Sequence, residues 1–319
     1  MNQIEQWTEG RKTAVITGHV RPDGDCAGAC LGLASYLRDN APQLAVDVYL
    51  EPFSESFGFL RGAGEVIHAC DAPKTYDLAF ALDAGDFGRL GEAGRYVSSA
   101  ALRVCLDHHI TNIPYGDVNI VRPEVSSTCE LLYSLMDPEK ISRETAECLY
   151  LGIVHDTGVF RHTNTTEQTM CAAGRLLSLG VRSDRIIDDT FYKKTFAQNK
   201  ILGTALDSAR LWLDGRMITG VIFQADLARW GLSKSDLDGI VDQLRVTDGV
   251  EAAVFLSESD PEKQEFRVSM RVNGDRLDVS RIAAAQGGGG HVKAAGCTMY
   301  GNWTEIARSI ADQVRQQLG

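Results

Sequence analysis

Ala14-Val-Ile-Thr-Gly-His-Val-Arg-Pro-Asp-Gly-Asp25 is the stretch that decides the fold. Ala14-Val-Ile-Thr17 is strand-like, the turn after it is punctuated by Pro22 and Gly24, and residues 26–37 follow with a helical pattern. Strand, tight loop and helix in that order open a βαβ unit, in which parallel strands are joined by crossover helices. The pattern recurs. Ala45-Val-Asp-Val-Tyr-Leu50 reads as a second strand, Leu78-Ala-Phe-Ala-Leu82 as a third running into Asp83, and Arg103-Val-Cys-Leu106 as a fourth running into Asp107. Gly28 and Gly32 are expected on the helix face that packs on the sheet.

From Ser127 the pattern turns helical, with Ser127 and Glu130 spaced as a capping box. Residues 143–155 form a further helix that carries Asp156 at its end, and 166–180 and 183–209 are also helical in pattern. The second half reads as another α/β domain, with strands at 216–223, 252–256 and 265–271. Helical stretches lie near 226–230, 234–244 and 279–285. Residues 304–318 form an amphipathic helix with Ile306, Ile310 and Val314 on one side. The expected organisation is an α/β protein with an N-terminal parallel-sheet domain at 1–182, a helical linker at 183–204 and a smaller α/β domain at 205–319.

Seven acidic or imidazole side chains, His19, Asp23, Asp25, Asp83, His108, His109 and Asp156, are read as gathering at strand ends. The carboxyl edge of an open α/β sheet is where such folds bind ligands. Asp23 and Asp25 lie two apart on a tight loop, so both can enter one cavity and serve one cation each. Asp83 then bridges, and His108 and Asp156 complete the second site. Two cations so held activate water and clamp a phosphoryl group for in-line attack. Several carboxylates, imidazoles and no thiolate suit Mn²⁺ or Mg²⁺, with imidazole favouring Mn²⁺. Cys26 and Cys30 share a helix face but are set aside as ligands. His109 cannot share the direction of His108, so it is expected to meet a phosphate oxygen or protonate the leaving group, with Asp107 orienting an imidazole.

These residues resemble the motifs of the DHH phosphoesterase superfamily. The matching stretches, in order, are His19-Val-Arg-Pro-Asp-Gly-Asp25, Leu82-Asp-Ala-Gly-Asp86, Asp107-His-His109, Ser126-Ser-Thr128 and Asp156-Thr-Gly158. Gly287-Gly-Gly-Gly-His291 with Ala294-Ala-Gly296 is similar to the signature of the associated DHHA1 domain. The resemblance implies His19, Asp23 and Asp83 at one Mn²⁺, and Asp25, Asp83, His108 and Asp156 at the other. It also implies a substrate-binding loop at Gly288, Gly289, Gly290 and His291, with Arg271 gripping a phosphate or base. Ala29 stands where many relatives have serine, and Asp86 is expected to be a turn residue.

The branch that the chain resembles hydrolyses short oligoribonucleotides and 3′-phosphoadenosine-5′-phosphate. A net charge of −11 and the lack of a Lys/Arg-rich run argue against long nucleic acid as a partner. A short RNA or small nucleotide is expected instead. No apolar run is long enough for a membrane span and no secretory signal is visible, so the expected location is cytoplasmic. A homodimer is implied by the resemblance alone. The competing readings are a cyclic-dinucleotide phosphodiesterase with the same motifs and a nucleotide-binding sensor without turnover.

Overall fold

The computed structural model describes residues 2–71 and 73–319, which fall into two compact units that meet between Lys193 and Lys194. In the first, after the short helix α1 (Gln3–Thr8), strand β1 (Thr13–Thr17) leads into helix α2 (Gly24–Asn40), then β2 (Ala45–Tyr49) and β3 (Leu78–Leu82). Helix α3 (Gly94–Ser99), β4 (Leu102–Asp107) and β5 (Val118–Val121) follow, then helices α4 (Thr128–Leu135), α5 (Arg143–Asp156), α6 (Glu167–Ser178) and α7 (Ser183–Ile187). Among the described residues the sheet has the order β2-β1-β3-β4-β5, all parallel. From β1 the chain moves outward to β2 and then returns to place β3 on the other flank. The strand order therefore reverses between β1 and β3, the position where open α/β sheets leave a crevice.

β3 is an unbroken apolar run because helices and loops cover both of its faces, as a central parallel strand requires. α2 is buried along almost its whole length. Its glycines do not face the sheet as expected. A Cβ on Gly28 would lie 2.6 Å from the Cys148 carbonyl oxygen, and one on Gly32 would lie 3.2 Å from Cys148 and Leu149, so both look at α5. Gly152 on α5 meets the same seam from the other side. The small residues let two helix backbones approach more closely than side chains with Cβ atoms permit.

The stretch 183–209 is helical in three pieces: α7, a π-helical turn at Asp188–Tyr192, and α8 (Phe196–Asp207). α8 buries Ile201 and Ala205 in the second unit. There β6 (Arg210–Trp212), β7 (Met217–Ile222), α9 (Gln224–Trp230), α10 (Ile240–Arg245), β8 (Ala252–Asp260) and β9 (Glu265–Val272) follow. The unit ends with α11 (Val279–Ala285), β10 (Gly289–His291), β11 (Ala294–Tyr300) and α12 (Trp303–Leu318). The sheet order is β10-β11-β9-β8-β7-β6, with β7 and β8 the parallel pair. One face packs Val254, Leu256, Val268 and Met270 against Ile306, Ile310 and Val314 of α12. The other packs Ile218, Ala253 and Phe255 against α8, α9 and α10. The helix expected at 234–244 is a 3₁₀ turn (Lys234–Leu237) and α10, separated by Gly239 at φ 83°.

Candidate metal centre

β1 and β3 end side by side at the reversal of strand order, and each delivers a ligand type there: His19 two residues past β1, Asp83 directly past β3. Asp83 leaves its strand with φ 55°, a left-handed turn that aspartate tolerates better than most side chains. Its N–H donates to the Leu106 carbonyl (3.0 Å) and the Thr128 hydroxyl donates to its Oδ1 (3.0 Å). The carboxylate, 2% exposed, is thereby fixed. Oδ2 lies 3.5 Å from His19 Nε2 and Oδ1 lies 3.7 Å from His108 Nε2.

Asp23 and Asp25 reach the same place from the start of α2. Asp23 is the N-cap: Oδ1 accepts from the Asp25 and Cys26 amides, while Oδ2 sits 3.6 Å from His19 Nε2. Asp25 is fully buried and accepts the amides of Thr128 (to Oδ2, 2.7 Å) and Cys129 (to Oδ1, 3.0 Å) at the opening of α4. The macrodipole of α4 favours a carboxylate there. Asp156 is the last residue of α5 and does not follow a strand, which corrects its placement with the strand-end residues. From that helix end its Oδ2 lies 3.0 Å from His108 Nε2. The six expected ligands thus form one cluster around Asp83. Asp25, His108 and Asp156 offer donor atoms within 4.8 Å of one another.

The charges make the cluster one that cations could occupy. Burial, then the neighbouring Asp83 and Asp156, push the Asp25 carboxyl well above the usual range. Burial also raises Asp156, against the pull of His108. Burial opposes charge on the imidazoles, yet hydrogen bonds to Asp23 and Asp83 push His19 up to about 11, and Asp156 and Asp25 push His108 up to about 10. These carboxylates and imidazoles form a pocket of excess negative charge in which protons occupy places that divalent cations can take. The donor set, oxygen and imidazole, fits such ions.

His109 is expected not to share the direction of His108, but the two ring centroids are 4.7 Å apart and His109 Nδ1 lies 3.7 Å from Asp83 Oδ1, so it too offers a donor beside that carboxylate. Its Nδ1 lies 2.8 Å from Asp107 Oδ1, and the ring is 44% exposed. The same Oδ1 accepts the amides of His108 (2.8 Å) and His109 (3.3 Å), while Oδ2 accepts from Asn112 Nδ2 (2.6 Å). Burial raises the Asp107 carboxyl, but His109 and Asn112 more than offset it and hold it below the usual range. His109 is raised, first by its hydrogen bond to Asp107.

Other residues complete the support. Ser127 caps α4, but the capping box is only half made: the Glu130 carboxylate accepts the Ser126 amide (2.9 Å), and the Thr169 hydroxyl (2.8 Å) as well. Asn164 Nδ2 donates to the carbonyls of Ser126 (3.0 Å) and Asp156 (3.2 Å), tying the 157–166 loop to the site. Asp86 caps a 3₁₀ helix through Arg89 N, the turn role expected. Thr128 entered the sequence reading only as part of a motif, and Asn112 and Asn164 gave no signal there, since an isolated asparagine is most often a turn residue.

In the second unit the tetraglycine is ordered structure. Gly289–His291 is an edge strand whose partners on β11 are Gly296, Ala295 and Ala294. A Cβ on Gly288 would lie 2.3 Å from the Gly296 carbonyl oxygen, and one on Gly290, at φ 143°, 2.5 Å from that of Ala294. Those glycines are demanded by close strand approach; Gly289 has open space, and His291 is exposed. Arg271 lies on β9, where its guanidinium donates to the Met270 carbonyl (3.1 Å) and its Nε sits 3.9 Å from Asp242. A cavity of about 360 Å³ is lined by Arg267, Ser269, Gln286, Gly287, Gly288 and Thr298 among others. Neither Arg271 nor His291 lines it. Arg267, missed in the sequence, shares the strand face of Arg271 and is the arginine at this cavity.

Comparison with known proteins places these features. The model of the DHH family, N-terminal domain, matches residues 13–153, and the DHHA1 domain matches residues 215–318. A curated Bacillus subtilis protein named bifunctional oligoribonuclease and PAP phosphatase NrnA is 32% identical, over 94% of this chain and 93% of its own. A Thermus thermophilus protein of the same name is 28% identical, over 95% and 89%. The solved structure of an exopolyphosphatase-related protein from Bacteroides fragilis superposes with a TM-score of 0.86 at 25% identity, over 98% of this chain and 94% of that one.

Proposed function

The chain belongs to the DHH family and carries a DHHA1 domain, and from that premise we propose that this phosphoester hydrolase cleaves short oligoribonucleotides, linear dinucleotides included, to mononucleotides. In the same reading it converts 3′-phosphoadenosine-5′-phosphate to AMP. The observation that carries the proposal is the gathering of His19, Asp23, Asp25, His108 and Asp156 around the buried Asp83. Relatives matched along nearly their full length bear the name of that dual activity.

His19, Asp23 and Asp83 would hold one divalent ion, and Asp25, Asp83, His108 and Asp156 the other, with Mn²⁺ the best fit to mixed imidazole and carboxylate donors. Such ions supply Lewis acidity, which activates water and neutralises phosphate charge. The chain supplies the rest. Thr128 and the α4 amides fix the carboxylates, so the donors are positioned before any substrate arrives. Asp107 fixes the ring of His109 through Nδ1, which leaves Nε2 to face a substrate oxygen. The hydrogen bond to Asp107 raises the His109 pKa, which favours the protonated ring and suits it to donate to the leaving oxygen.

The DHHA1 domain binds the nucleotide, with Arg267 and Arg271 on one face of β9 and Gly288, Gly289, Gly290 and His291 at the sheet margin as its contact groups. Arginine grips phosphate bidentately. An overall charge of −11 supplies no continuous electrostatic track, which favours short substrates over long strands.

A turnover panel with Mn²⁺ tests the proposal, comparing pGpG, pApA, 3′-phosphoadenosine-5′-phosphate, cyclic-di-AMP and pyrophosphate, with Asp83→Ala as control. Fast, Asp83-dependent release of mononucleotides from the linear dinucleotides is expected. Preferential opening of cyclic-di-AMP moves the enzyme to the cyclic-dinucleotide branch, and no turnover of any of them contradicts the proposal.

A further inference from the structure

Cys26 was set aside as a ligand on sequence grounds, but its sulfur reaches the metal centre. It stands in the first turn of α2, one residue past Asp25, and is fully buried. Its Sγ, a ring nitrogen of His19 and a carboxylate oxygen of Asp83 lie within 4.8 Å of one another. Asp23, whose Oδ1 caps the same turn by accepting the Cys26 amide, sets its Oδ2 3.6 Å from His19 Nε2. The sulfur is held in place. A Cβ on Gly18 would lie 2.3 Å from Cys26 Sγ and 3.3 Å from Cys30 Sγ, so glycine at 18 is what lets the thiol pack against the loop bearing His19.

We propose that the half of the centre at His19 and Asp83 accepts a thiophilic divalent cation, of the Zn²⁺, Co²⁺ or Cd²⁺ class, with Cys26 as an added sulfur ligand. The inference rests on the reading of His19 and Asp83 as metal ligands. It goes beyond that reading because sulfur changes which ions the site selects. An imidazole, a carboxylate and a thiolate together are donors of the kind zinc takes. A hard cation such as Mg²⁺ or Mn²⁺ has little affinity for sulfur and leaves the thiol protonated. When the thiophilic ion binds, the Cys26 S–H bond breaks, a sulfur–metal bond forms and the proton passes to solvent.

The test is a Co²⁺ titration of the full-length protein, wild type and Cys26→Ala, followed by absorption. Wild type is expected to show a sulfur-to-cobalt charge-transfer band in the near ultraviolet together with the visible d–d bands of bound Co²⁺. Cys26→Ala keeps the visible bands and loses the ultraviolet one. Competition with Zn²⁺ is expected to show the ratio of Zn²⁺ to Mn²⁺ affinity falling by about tenfold or more in the variant, since one soft donor is lost. Visible bands without charge transfer in the wild type, or a charge-transfer band that survives Cys26→Ala, overturn the sulfur ligand while leaving the metal centre intact. Absence of any Co²⁺ signal from either protein overturns the metal-centre reading itself, and this inference with it.

Discussion

Asp83 divides its carboxylate among three histidines: Oδ2 faces His19 Nε2 at 3.5 Å, and Oδ1 faces His108 Nε2 and His109 Nδ1, each at 3.7 Å. Those histidines come from the ends of different strands, β1 and β4, and β3 lies between them in the sheet. The fold thus sets the bridge. A parallel sheet brings its strand ends to one edge, and the reversal of strand order opens a crevice at a carboxylate that faces both halves of the cluster.

Gly152 is expected to be as sensitive as a ligand although it binds nothing. A Cβ there would lie 2.5 Å from Asp25 Oδ1 and 2.2 Å from Cys129 Sγ. Gly152→Ala must push α5 away from α2 or turn the Asp25 carboxylate. The expected cost is about 1–3 kcal/mol of stability, with hydrolysis falling further than the lost folded fraction explains. Gly174→Ala on α6, where nothing lies within 4 Å, is the control and should be neutral or stabilising by about 0.5–1 kcal/mol. Urea melts and turnover on both variants decide this, and equal behaviour of the two contradicts it.

Asn112 acts on His109 through Asp107, to which its Nδ2 donates at 2.6 Å while also holding the Ala84 carbonyl at 3.2 Å. Asn112→Ala frees the Asp107 carboxylate and loosens the imidazole. Removing an orienting partner of this kind typically costs about ten- to a hundredfold. The loss should fall on kcat, with KM for a linear dinucleotide little changed. A rise in KM at constant kcat would place Asn112 in substrate binding instead.

Metal binding should release protons. His19 and His108 are pushed up to about 11 and about 10 by their carboxylate partners, so both carry protons in the metal-free site at neutral pH. A cation must displace them, so apparent affinity for Mn²⁺ rises as pH increases between about 6 and 9. Calorimetric titration in two buffers of different ionisation enthalpy measures the release directly. Binding heats independent of the buffer would mean that the imidazoles are not ligands.

Two arginines share one face of β9, and only Arg267 lines the cavity beside the glycine strand. Arg267→Ala is expected to raise KM for linear dinucleotides by about tenfold or more, the loss of one charge-assisted phosphate contact. Arg271→Ala should do less, because its guanidinium already has the Met270 carbonyl and the nearby Asp242. Steady-state kinetics on both variants rank them. A larger effect at Arg271 favours the arginine that the sequence reading named.

Strands β1 to β4 and the residues that gather at Asp83 were legible because each rests on local signals: apolar runs, several ending in acid or imidazole, and a Pro/Gly loop. β5, β6, β10 and β11 were not. Val118–Val121 is short and interrupted by Asn119, and Gly289–His291 carries almost no side chains to read. Both exist because a longer neighbour pairs with them. The orientation of Gly28 and Gly32 was misjudged for a similar reason. A helix buried on all sides offers no polar face by which to tell the sheet from a neighbouring helix, and only the fold shows that α5 lies there. Asn112 reaches the site through contacts whose geometry leaves no trace in spacing.

The count of bound ions tests the bridge most directly. Equilibrium dialysis against Mn²⁺, read by elemental analysis, is expected to give two ions per wild-type chain, the pair that a shared carboxylate holds. In Asp83→Asn, which keeps the shape and removes the charge, at least one is lost and hydrolysis falls by about a thousandfold. An unchanged count in a folded variant would contradict the placing of Asp83 between the two halves of the centre.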